Sequence, residues 1–489
     1  MKKILSILIF FLLLSSLVAC VNASTTLRSK TTRDYSNDHR YDNMGSGFTK
    51  IDLNSLEKPD IYVDDMIEAD DFKEDESYKM VVHTNENGPF IDGIIIYSLN
   101  EIKESTAISL SYIGSGRTKY ELKEIYRCNP NCTKTNEDSN YYSGSFEIDT
   151  KHQFPVINSN REPYETPFND FTEDYELVID SKTFKYKGLE FPDLYGLSKG
   201  ECMFDDIDMS FMAFENIEED NMKNPLIIWL HGGGEGGTEP EVAVIGNEVP
   251  ALFRNEIQNY FKKDGSNGAY VFIPECETMW MDSTGKDTSI SINTYTWQSS
   301  YYTEYLMASI LSYIEYNEDI DTSRIYVGGC SNGGYMTLEL AFQFPDFFAA
   351  IYPICPGYDN TNVSIEMIQS LRDLPIWFVQ SIDDGILSPK KYGEPIYARL
   401  IEAGNDNCFY TMYDKIRGKD MPNVNYIGHY SWVYLFNNEV KNVQKRENIK
   451  YDLGPDKNYG FNGIEKGGTE TTGFDGIWDW MSNQKKENK

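Results

Sequence analysis

Past residue 190 the chain alternates between short apolar runs and longer stretches of helical period, the pattern of buried parallel strands joined by crossover helices. Apolar runs at residues 226–230, 270–273, 325–327, 349–353, 376–379 and 409–413 predict strands. Helices are predicted over residues 302–316, where Leu306, Ile310 and Tyr313 share one face, and over residues 392–403, which Gly404 ends. Upstream the period shortens. Runs at 78–83, 94–98, 107–113, 120–126, 146–149 and 175–179 are separated by clusters of Gly, Asn and Asp. Such spacing predicts an immunoglobulin-like β-sandwich over residues 76–188, preceding an α/β domain over residues 189–489.

Residues 24–75 are polar and charged without apolar period, and predict a flexible acidic linker. Before them, Lys2 and Lys3 lead an apolar stretch over residues 4–19, too short and wrongly flanked for a membrane span. Residues 1–23 therefore predict a signal peptide, and with it a secreted or cell-surface protein. Leu17-Val18-Ala19-Cys20 also has the form of a lipobox, in which a lipid on Cys20 would be the one membrane anchor; the competing cleavage follows Ala23.

At 489 residues the chain is long enough for two cores. Its net charge of −33, from 77 acidic against 44 basic residues, argues against nucleic acid as a partner, because like charges repel. The acidic runs lack the spacing of a calcium loop and are read as solvated surface, so no metal or other cofactor is called for. Cys128 and Cys132 bracket a short Asn-Pro-Asn turn, half of a zinc spacing without its second half. The sandwich carries no catalytic set; carbohydrate or surface contact, homo-oligomer formation and a wall over the active site are its open roles.

The densest chemical signal is Gly329-Cys330-Ser331-Asn332-Gly333, between the β-prone run at 325–327 and a helical pattern through Met336, Leu338, Leu340 and Ala341 that Pro345 stops. A G-x-S-x-G strand-to-helix reversal pushes the serine hydroxyl out above a sheet, which makes Ser331 the candidate nucleophile. Cys330 fills the inward position and is expected to be a buried, unreactive thiol. A serine needs a base and an acid that orients it. Of five histidines, only His231 and His429 share the segment with Ser331, and only His429 follows it in the Ser, acid, His order. The acid should leave a strand end between them. The run at 376–379 is followed by Asp383 and Asp384, of which one can face the histidine; Asp384 is chosen and Asp383 held in reserve. The glycine run Gly232-Gly233-Gly234 after the strand at 226–230 offers bare backbone for an oxyanion, so the N–H groups of Gly233 and Asn332 are the candidate oxyanion hole. His231 is expected to brace that loop. Trp280 and Trp297 are candidate rim residues of a substrate pocket, or ordinary packing.

Taken together, Gly328 to Thr337, Tyr352-Pro353-Ile354-Cys355, Pro375-Ile376-Trp377-Phe378 and Gly428-His429-Tyr430-Ser431-Trp432 resemble secreted microbial α/β-hydrolase esterases, grouped with prolyl-oligopeptidase-like and polyhydroxybutyrate-depolymerase-like hydrolases. Some of that family carry an N-terminal immunoglobulin-like domain. The resemblance spans about residues 190–485. It implies an α/β-hydrolase fold with a mainly parallel sheet and helices on both faces. It also implies a Ser331, Asp384, His429 triad, an oxyanion hole at Gly233 and Asn332, no cofactor, and a small-molecule or polymer-linked ester as substrate. Gln380 departs from the family pattern ahead of the acid. A serine peptidase and a non-catalytic surface-binding protein are the competing classes.

Overall fold

The computed structural model describes residues 48–73, 75–114, 116–148, 174–215, 222–286, 300–420, 426–450 and 458–486. The expected signal peptide with Cys20, residues 24–47 of the expected linker, and Trp297 lie outside them. The chain divides into two compact units, one of residues 65–198 with 244–250, the other of residues 1–64, 199–243 and 251–489.

The first described strand, β1 (Asp60–Met66), falls inside the stretch expected to be a flexible linker. It is an edge strand of the large sheet, and most of its side chains are exposed. Its apolar alternation covers only Ile61 and Val63 between carboxylates, which blunt a sheet edge while erasing the sequence signal.

Nine strands build the smaller unit: β2 (Ser77–Asn85), β3 (Gly88–Tyr97), β4 (Ile108–Tyr112), β5 (Thr118–Tyr120), β6 (Glu124–Cys128), β7 (Tyr141–Ser145), β8 (Tyr175–Ile179), β9 (Lys182–Thr183) and β10 (Lys185–Glu190). They form a five-stranded sheet, β10-β2-β3-β7-β6, and a four-stranded sheet, β5-β4-β8-β9. One apolar cluster serves both, with Met80, Ile91 and Ile94 from the first meeting Leu110 and Leu177 from the second. Two expectations change here. The run at 120–126 is two strands, because the chain leaves one sheet at Tyr120 and enters the other at Glu124. The strand expected at 146–149 instead ends at Ser145, and Phe146 turns into the core. Cys128 and Cys132 keep their thiols and flank a turn closed by the Asn129 and Thr133 backbones.

The larger unit continues with β11 (Leu197–Met203), β12 (Asp208–Phe214), β13 (Asn224–Leu230), β14 (Tyr270–Pro274), β15 (Ile320–Cys330), β16 (Ala350–Ile354), β17 (Ile376–Ser381) and β18 (Cys408–Tyr413). The sheet order is β1-β11-β12-β14-β13-β15-β16-β17-β18. From β13 to β18 neighbouring strands pair in parallel, whereas β12 pairs antiparallel with β14. All seven residues of β13 are buried, as expected of a parallel strand covered on both faces, which is why it reads as a continuous apolar run. Helices α1 (Tyr302–Tyr316) and α2 (Asn332–Gln343) follow, then α3 (Gly393–Glu402) and α4 (Trp432–Phe436). Leu306, Ile310 and Tyr313 are the buried face of α1, and every residue of α2 is buried. The chain steps from β13 to β14 on one side, then to β15 on the other. In open α/β sheets such a reversal is where ligands are taken, outside the carboxyl ends of the strands, here those of β13 and β15.

Candidate active site

Ser331 occupies the junction between β15 and α2 with φ 58° and ψ −110°, a left-handed backbone that a serine adopts only under constraint. The constraint is packing. A side chain on Gly333 would put its Cβ 1.9 Å from the Leu230 carbonyl oxygen, and one on Gly329 would sit 2.4 Å from the same oxygen and 2.8 Å from the Gly333 carbonyl carbon. Both positions thus press against the end of β13, and the serine between them is squeezed outward; Ser331 is half-buried while its neighbours Cys330 and Asn332 are covered. Because backbone rather than a mobile side chain is in the way, Gly333→Ala is expected to cost about 3 kcal/mol of stability. Gly234→Ala, whose Cβ meets nothing within 4 Å, should change stability by under about 0.5 kcal/mol. Urea unfolding of both variants measures the difference.

The elbow is tied to the neighbouring strand ends. Ser331 N–H donates to the Ile354 carbonyl at 3.0 Å, Gly357 N–H donates to the Ser331 carbonyl at 3.2 Å, and Cys355 N–H donates to Val379 at 2.8 Å. Cys330, next to the serine, is fully buried, and burial first of all holds its thiol well above the usual range.

Asp384 and His429 are brought together. His429 Nδ1 lies 2.9 Å from Asp384 Oδ2, and both side chains are buried. The other carboxylate oxygen, Oδ1, accepts the backbone N–H groups of Ile386 at 2.9 Å and Leu387 at 2.8 Å, so the carboxylate has one anchored and one working oxygen. Gln380 supports this loop from below, donating through Nε2 to the Leu387 carbonyl at 3.1 Å and accepting the Tyr410 hydroxyl. The residue that departs from the family pattern therefore has a bracing role. Asp383 points elsewhere: its Oδ1 accepts the Ser381 hydroxyl at 2.6 Å. Its backbone still matters, since Gly428, just before the histidine, lies so close that a Cβ there would be 2.5 Å from the Asp383 carbonyl carbon. Among the described residues Ser331 Oγ makes no hydrogen bond to the His429 ring. Catalytic contacts of this kind commonly tighten only around a bound substrate.

Burial would by itself lower the basicity of the His429 imidazole, but the Asp384 carboxylate and the Cys355 sulfur, both in hydrogen-bonding contact with it, override that penalty. The net result holds its pKa well above the usual 6.5. Cys355 was quoted in the sequence only as part of a family string. Its contact with the histidine follows from the parallel placement of β16 beside β17, which no local pattern encodes.

Gly233 and Asn332 adjoin each other, a Cβ on Gly233 lying 3.8 Å from that of Asn332. The side chain of Asn332 is also used: its Oδ1 accepts the Trp280 backbone N–H at 2.6 Å. The Trp280 indole N–H donates to the His231 carbonyl at 3.1 Å. One tryptophan thereby clamps the loop after β13 to Asn332, the residue after Ser331. Trp280 is fully buried, so of its two readings, pocket rim or ordinary packing, the structure bears out packing. His231 is buried against it, with Nδ1 2.6 Å from the Gly232 carbonyl and Nε2 accepting from Cys276 N–H at 3.2 Å. Burial pushes its pKa down to about 4, leaving it neutral and spent on bracing.

A profile of the prolyl oligopeptidase family, Peptidase_S9, matches residues 302–375, the segment from α1 through the elbow to the start of β17. No curated protein matches the chain. Among solved structures, a thermostable esterase superposes with a TM-score of 0.57 at 20% identity, covering 74% of this chain and 96% of that one. An uncomplexed acylaminoacyl peptidase of Pyrococcus horikoshii aligns with a TM-score of 0.37 at 15% identity, over 71% of this chain and 62% of its own. Est1E from Butyrivibrio proteoclasticus with bound ferulic acid reaches 0.29 at 13% identity, over 43% and 88%. The larger unit has the α/β-hydrolase fold, the fold that serine esterases and serine peptidases share.

Proposed function

We propose that this chain is a serine hydrolase that cleaves carboxylic esters through an acyl-enzyme, and that it works outside the cell. The observation that carries the reading is the buried Asp384 and His429 pair at 2.9 Å, on the same strand-end edge as a serine held at φ 58°. In this reading His429 takes the proton from Ser331 as Oγ attacks the ester carbonyl. Asp384, anchored on Ile386 and Leu387, keeps the ring in one tautomer and stabilises the imidazolium. The backbone N–H groups of Gly233 and Asn332 receive the oxyanion, held in place through Trp280. Water then attacks the acyl-serine with the same base. The apolar leader supports export, with lipid attachment at Cys20 as its anchored form. The smaller unit is read as an immunoglobulin-type sandwich with no catalytic part.

A peptidase would use the same groups, and the prolyl oligopeptidase match over residues 302–375 favours it as the second reading. The two separate on substrates. Nitrophenyl acetate, longer nitrophenyl esters, methyl ferulate and acetylated xylan are compared with a prolyl anilide on the purified protein. An ester should exceed the anilide in kcat/KM by at least about 100-fold, roughly 2.7 kcal/mol of transition-state preference. Comparable rates would move the assignment to the peptidase class.

A further inference from the structure

Against the proposed base lies the Cys355 sulfur, which the acyl-transfer chemistry does not require and which completes a donor set with the base and its acid. One ligand atom each from Cys355, Asp384 and His429 can be chosen so that all lie within 4.8 Å of one another, and all three residues are buried. A thiol, a carboxylate and an imidazole form the mixed soft and borderline set that suits zinc and cadmium better than calcium or magnesium. At zinc bond lengths the donors of a tetrahedral site stand roughly 3.3–3.8 Å apart, so closing this cluster needs side-chain shifts of about 1 Å. The carboxylate is ready for such use, because Oδ1 is anchored on backbone N–H groups while Oδ2 faces the ring. Cys355 is fixed as well, its N–H tied to the Val379 carbonyl and its backbone at φ 35°, with its sulfur in hydrogen-bonding contact with His429.

We propose that Cys355, Asp384 and His429 form a binding site for a soft divalent cation of the zinc and cadmium class, and that occupancy inhibits the enzyme. Coordination releases the thiol proton to solvent, moves the Nδ1 proton of His429 to Nε2 or to solvent, and replaces the hydrogen bond between His429 Nδ1 and Asp384 with one bond from each to the metal. The imidazole can then no longer be held and charged by the carboxylate, so proton transfer from Ser331 stops. The inhibitory half of this proposal rests on the function proposed above; the binding half does not.

The test uses tag-free, full-length protein and cadmium chloride. The Ser331→Ala variant keeps all three donors and is expected to bind one Cd²⁺ per chain, with a thiolate-to-cadmium charge-transfer band in the ultraviolet and a raised unfolding temperature. Adding Cys355→Ser to it should abolish the band and weaken binding by about 100-fold. Cys355→Ala is the second variant, and its unfolding temperature without metal shows that it has folded. In the wild type, zinc should suppress turnover and EDTA restore it, each variant being normalised to its own metal-free rate. Absence of the band in Ser331→Ala, or equal cadmium affinity with and without Cys355, overturns the site. Retained turnover in Ser331→Ala would overturn Ser331 as the nucleophile while leaving the cadmium result standing.

Discussion

Replacing Ser331 by alanine is expected to lower kcat by about a million-fold, because removing one member of a nucleophile and base pair costs nearly as much as removing the whole set. His429→Ala should fall to a similar floor, and the double variant should fall little further. What remains over the uncatalysed rate would come from binding and from the oxyanion donors. Folding should be spared: the side chain is half-buried and makes no hydrogen bond to the ring, so the unfolding temperature should stay within about 3 °C. Steady-state hydrolysis of nitrophenyl acetate reads the first quantity and a thermal unfolding scan reads the second. Turnover retained in Ser331→Ala but lost in Cys355→Ala would transfer the nucleophile to the thiol that touches the histidine.

The second large effect is at the acid. Asp384→Asn is expected to reduce kcat/KM by about 10,000-fold, since an amide at that position supports the wrong tautomer of His429. Asp383→Asn should stay within about threefold, as its Oδ1 still accepts from Ser381 and its backbone still underlies Gly428. The pH profile carries a separate signature. His429 must be neutral to accept a proton, and its pKa is held well above 6.5, so the wild-type rate should rise with pH along a limb lying above that value. With the carboxylate removed, burial is the larger remaining influence and the limb should move down. The same shift governs stability in the opposite sense. A histidine whose pKa is raised on folding stabilises the native state fully below 6.5, and the contribution disappears as pH climbs through the raised value. An Asp383→Asn variant that loses the activity, with Asp384→Asn intact, would exchange the roles of the two carboxylates.

How far the site could be read from the chain differs by residue. Ser331 was legible because the cause of its geometry is local: glycines at 329 and 333 are required where the turn meets β13. His429 was legible by scarcity and order. Between Asp383 and Asp384 the sequence offered only neighbours, and the choice depends on which carboxylate the Ile386 and Leu387 N–H groups capture. Gln380 as a brace, Trp280 as a clamp and Cys355 beneath the ring were all invisible, since each acts through a partner more than five residues away. The strand β1 was missed for a different reason: an exposed edge needs little apolar content, so its sequence looks like the linker around it.

By itself the sequence determined the layer architecture of the larger unit, because a parallel strand buried on both faces must be apolar throughout and its crossovers must carry a helical period. It also determined the elbow, whose steric demands are met by residues adjacent in the chain. Only the tertiary structure decided which carboxylate faces the imidazole, which aromatic lies inside, and that the thiol just past β16 sits against the His429 ring. Those choices depend on the order of β15, β16, β17 and β18 across the sheet. Long-range packing sets that order, and local propensity carries no record of it.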